Sequence, residues 1–111
     1  MALELSEQQL GILQRLVAAG FTPVAWPLYA SYVGVRKGNC GALLAPTTDG
    51  KLSVFGSEFC LVEGNPAVRV ARGGKAFYVF KKAQLEATLE LEAELADFRR
   101  ELGAILDRMR T

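Results

Sequence analysis

Six short apolar runs follow one another between Leu28 and Lys81, joined by connections that leave the chain no option but to reverse direction each time. The runs are Leu28–Arg36, Cys40–Ala45, Leu52–Phe55, Glu58–Val62, Ala67–Arg72 and Ala76–Lys81. KGN, PTTDG, a single Gly56, EGNP and GGK separate them, all of it turn or bulge chemistry. A parallel crossover needs about a dozen residues or more, so neighbouring runs pair antiparallel. The middle of the chain is therefore a β-meander of four to six strands within residues 28–81, Gly56 either bending one strand or dividing two. Glu58, Cys60 and Val62 alternate with Phe59 and Leu61, and Val68 and Val70 with Arg69 and Ala71. One sheet face is thus apolar and needs a cover, which the flanking helices supply.

Those helices are legible at both ends. Ser6 and Gln9 have capping-box spacing, with Leu5 and Leu10 placed as a hydrophobic staple. Leu10, Leu13, Leu16 and Val17 form a face, Ile12 flanks it, and Gly20 follows, so a helix is expected over residues 7–19. At the other end an apolar stripe at helical spacing predicts a helix over residues 83–109, about 40 Å long at about 1.5 Å per residue. A compact chain of this size has a radius of gyration of roughly 13 Å, so such a helix is as long as the body that must cover it. Leu91, Leu95, Phe98, Leu102, Ile105 and Met109 step by four and three in alternation, as a coiled-coil seam does. Its first half suits the chain's own sheet. From Phe98 onward, Phe98, Leu102, Ile105 and Met109 are read as a homodimer contact. The expected fold is a single α+β domain: short N-terminal helix, antiparallel meander, and long C-terminal helix packed on the sheet.

Composition narrows the function by exclusion. The 111 residues contain no histidine, which removes Ser-His-Asp and Cys-His catalysis and the usual transition-metal ligand. No paired carboxylates converge from different elements. Cys40 and Cys60 lie in apolar strands without C-x-x-C spacing, so core packing explains them. The start of the sequence lacks the basic and apolar regions of a signal peptide, and no run is long enough to span a bilayer. A cytoplasmic, non-catalytic protein is expected, without metal or cofactor and away from the membrane.

Thirteen basic residues against twelve acidic give a net charge of +1, unevenly distributed. The body is mildly basic, and acids gather early in the long helix, where charges can neutralise each other within the fold. Arg36, Lys37, Arg69, Arg72, Lys75, Lys81 and Lys82 form a candidate basic patch, centred on the last hairpin with Phe77, Tyr78 and Phe80. That mixture of cations and aromatics suits single-stranded nucleic acid, although core packing and ordinary surface lysines account for it better. Trp26, Tyr29 and Tyr32, stiffened by Pro23 and Pro27, mark a candidate apolar pocket. The chain carries no motif that assigns it to a family. The leading expectation is a dimeric binding or adaptor module with a protein partner. The alternatives are a nucleic-acid-associated regulator using the basic hairpin, and a binder of small apolar ligands.

Overall fold

The computed structural model describes residues 5–108. Helix α1 (Glu7–Ala18) begins in the capping box: Gln9 N–H donates to Ser6 Oγ at 3.1 Å, and Ser6 N–H to Gln9 Oε1 at 2.9 Å. It ends in a Schellman motif, Gly20 N–H donating to the Val17 carbonyl and Phe21 N–H to that of Leu16, both at 3.0 Å. Gly20 takes φ 99° there, which an L side chain rarely adopts. The buried face is Gln9, Ile12 and Leu16, whereas Leu10 and Val17 are half exposed. The helix is turned because the Gln9 amide reaches inward to the carbonyls of Thr47 and Lys51, at 3.3 and 3.0 Å.

Strands β1 (Thr22–Val24), β2 (Val33–Lys37), β3 (Cys40–Pro46), β4 (Leu52–Val62) and β5 (Asn65–Pro66) form a five-stranded antiparallel sheet in sequence order. The proline-broken connector thus contributes a strand, with Pro23 on the sheet edge, where a missing N–H is tolerated. The expected strand from Leu28 begins at Val33, because Pro27–Tyr29 form a turn of 3-10 helix. Gly56 (φ 69°) bends one continuous strand: β4 takes four steps, Phe55 to Phe59, where β3 takes two, Leu43 to Gly41.

The meander does not continue as a single sheet. After Ala67, whose N–H still donates to the Cys60 carbonyl at 3.2 Å, the chain leaves β4, and β6 (Val68–Arg72), β7 (Lys75–Phe80) and β8 (Ala83–Glu86) form a separate three-stranded antiparallel sheet. The start of the expected long helix is therefore β8. Phe77, Tyr78, Val79 and Phe80 of β7 pair with Glu86, Leu85, Gln84 and Ala83 across a tight turn at Lys81–Lys82. Leu85 and Leu89, spaced as part of the helical stripe, are 42% and 91% exposed. Helix α2 (Leu89–Arg108) starts only after Thr88, whose Oγ1 accepts the Leu91 N–H at 3.1 Å, and its 20 residues span about 30 Å.

The two helices cover one face of the larger sheet. Ile12 and Leu16 of α1, Phe21, and Leu91, Leu95, Phe98, Leu102 and Leu106 of α2 share a core with Val33, Val35, Ala42, Leu44, Cys60 and Val62. Burial along α2 drifts from Leu102 to Leu106, with Ile105 half-buried, as an ordinary 3.6-residue helix on a sheet does. Polar bonds hold α2 down. Glu94 accepts from the Asn39 N–H (2.7 Å) and Nδ2 (3.1 Å), Arg99 donates to Glu58 (3.0 Å), and Glu101 pairs with Lys37. Glu94 and Glu101 thus meet a turn and a cation of the same chain. The assembly is an α+β body elongated to 47 × 30 × 21 Å. Among the described residues no helix is long and apolar enough to cross a membrane.

A candidate binding groove between the two sheets

The second face of the five-stranded sheet is apolar as well, and the Trp26 segment covers it. Along β2 and β3 this face presents Gly34 and Gly41 beside Leu43, while Phe59 and Leu61 continue it on β4. The Trp26 ring lies against the glycines: a Cβ on Gly34 would stand 2.6 Å from it, and one on Gly41 3.1 Å. The Trp26 indole N–H donates to the Gly64 carbonyl at 3.0 Å, and Phe59 meets the ring edge-on at 5.5 Å between centroids. Trp26, Leu43 and Leu61 make a small second core, joined by Val24, Tyr29, Tyr32 and Phe59.

Where this second core meets the smaller sheet, the surface opens into a groove of about 560 Å³. Trp26, Pro27, Leu28 and Tyr29 line it together with Asn65, Pro66, Val68, Val79, Phe80 and Lys81. No carboxylate is among them. Leu28 is 78% exposed and Val68 67%, unusual exposure for two large aliphatic side chains lining one groove. On the smaller sheet Val68 faces Val79 across the ladder within the groove, and Val70 faces Phe77 further along the same face. Among the described residues β6 is also an edge strand, paired to β7 alone. Its outer side offers backbone N–H and carbonyl groups to whatever strand lies beside it.

On the opposite face of the small sheet, Tyr78 is buried and its hydroxyl donates to Glu92 of α2 at 2.7 Å. Arg69 donates to the same carboxylate oxygen at 3.2 Å. The Tyr78 hydrogen bond, with help from Arg69, holds the Glu92 carboxyl below its ordinary range despite partial burial. This junction fixes the small sheet to the helix.

The residues singled out from sequence are therefore distributed over several places. Trp26 and Tyr29 lie together in the groove. Tyr32 packs against the same small core but does not line the groove, its ring stacked on Phe55 with centroids 4.3 Å apart. The seven bases do not gather into one free cationic surface. Lys37 donates to the Ala19 carbonyl and to Glu101, Arg36 to the Gly38 carbonyl, Arg69 pairs with Glu92 and Lys75 with Glu86. Arg72, Lys81 and Lys82 have no acidic partner among the described residues, and Lys81 lies over the Phe80 ring. Phe98 and Leu102, read as subunit contacts, are 4% and 0% exposed within a single chain, because Phe21 and α1 already cover them. Ile105 packs at the border of the same core, and Met109 lies outside the described residues. Leu28, Val68 and Val79 escaped the sequence reading. Alternation marks an apolar strand face but not whether anything covers it. No protein family, curated protein or solved structure matches this chain.

Proposed function

We propose that this chain is a non-catalytic binding module that receives an extended segment of a partner protein along the β6 edge and the adjoining groove. The observation that carries this reading is the coincidence of a free ladder edge with an open apolar groove, Val68 belonging to both. An added strand gains affinity from main-chain hydrogen bonds, and specificity from alternate side chains entering pockets. Arg72 on β6, Lys81 in the groove and Lys82 next to it have no acidic partner among the described residues, so the fitting segment alternates aliphatic residues with acids. A small apolar ligand fits less well, since such sites enclose most of the ligand's surface and this groove is open. Nucleic acid is disfavoured by the intramolecular pairing of Lys37, Arg69 and Lys75. The cytoplasmic setting expected from sequence belongs to this proposal.

The test is fluorescence anisotropy with labelled decapeptides alternating Val and Glu. Saturable binding is expected, weakened by salt, lost in Val68→Asp, and lost when the peptide backbone is N-methylated at alternate residues. Binding indifferent to Val68→Asp and to N-methylation overturns the reading. Light scattering on the unliganded chain asks whether a second copy takes the same edge. A mass that doubles with concentration and returns to monomer in Val68→Asp gives the edge to self-association instead.

A further inference from the structure

Cys40 on β3 and Cys60 on β4 are direct cross-strand partners, and neither has accessible surface. The Leu61 N–H donates to the Asn39 carbonyl at 2.8 Å, so Asn39 and Leu61 form a hydrogen-bonded pair of the ladder. Cys40 and Cys60, one step along, are then a non-hydrogen-bonded pair. Cα atoms at such a position stand about 4.5 Å apart with the side chains on the same face. Disulfides span Cα separations of roughly 4.4–6.8 Å. Both residues belong to the buried core that Tyr78 and α2 close over. The ladder thus holds two sulfurs together in a way that core packing alone does not require.

We propose that Cys40 and Cys60 are a dithiol modification site, which hydrogen peroxide converts into an intramolecular cross-strand disulfide with both strands left in register. The ladder places the two residues side by side, so either sulfur can take the first oxygen and the other closes the bond. With Cys60 leading, its thiolate attacks one peroxide oxygen, the O–O bond breaks, and the departing hydroxide takes up the proton Cys60 released, leaving as water. The Cys60 sulfenic acid is then attacked by the Cys40 sulfur. The S–S bond forms, the S–O bond breaks, and the hydroxyl leaves as a second water with the Cys40 proton. Two electrons pass from the sulfur pair to peroxide. A small neutral oxidant suits a pair with no surface, lying in the core that α2 covers with Leu91, Leu95 and Phe98.

The experiment treats the native full-length chain with hydrogen peroxide at neutral pH, denatures it in the presence of iodoacetamide, and reads intact mass and peptide map. The expected product is monomeric, lighter by two hydrogens, closed to alkylation, and yields one Cys40–Cys60 linked peptide. In Cys40→Ser, the reaction stops at a Cys60 sulfenic acid that dimedone traps. Two fully alkylated thiols after peroxide treatment overturn the proposal, as do intermolecular disulfides or sulfinic acid as the main product. The wild-type result decides the question even if the serine variant fails to fold.

Discussion

At the residue scale, Gln9 shows how much one polar side chain can settle. Its carbonyl oxygen closes the capping box, and its amide nitrogen bonds two carbonyls of the β3–β4 turn, while the residue is only 5% exposed. Gln9→Glu keeps the shape and the acceptor but sets a carboxylate oxygen against two carbonyls. The expected cost is about 1–3 kcal/mol in urea unfolding, the penalty of buried polar groups left without partners. The capping role was legible from Ser6 and Gln9. The inward reach was not, because nothing local in α1 announces a partner at Thr47 or Lys51.

At the scale of elements, two glycines make opposite predictions. A Cβ on Gly34 would stand 2.4 Å from the Val24 carbonyl oxygen and 2.6 Å from the Trp26 ring, so β1 and the indole both obstruct it. Gly34→Ala is expected to destabilise the fold by about 1–3 kcal/mol, as overpacking does. Gly103, inside α2, has nothing within 4 Å of an added Cβ. Gly103→Ala is expected to stabilise the chain by roughly 0.5–1 kcal/mol through helix propensity. Thermal and urea unfolding of the two variants check both signs. α2 also shows where periodicity misleads. Leu85 and Leu89 have helical spacing with Leu91 and Leu95, yet Leu85 is in a strand and Leu89 points to solvent. The β7 edge and the Thr88 cap decide that boundary, and only the cap is local. The turns were more dependable: every strand pairing is antiparallel, as their shortness demands.

At the scale of the molecule, two apolar layers flank the larger sheet and a smaller sheet projects beside it. The α+β order of elements was legible in the sequence, since each turn and cap is a local signal. The division into two sheets was not, and neither was the groove, because both depend on what the chain does after Ala67. Attachment of the smaller sheet to α2 centres on Glu92, with Tyr78 and Arg69 on one carboxylate. The folded value of this carboxyl lies below its ordinary 4.5, so its contribution to stability is present above that pH. It is lost as pH falls through the lower, folded value. The thermal midpoint of the wild type should therefore drop on acidification below the ordinary carboxylate range. Glu92→Gln should start lower at neutral pH and lose less over that interval.

The seat of Trp26 has an optical consequence. The chain has one tryptophan, and its ring forms part of the groove's lining while its N–H is anchored to Gly64. Its emission therefore samples the groove directly, without an attached dye. An occupant changes the polarity around the indole while the helical circular dichroism of α1 and α2 stays constant, whereas unfolding changes both.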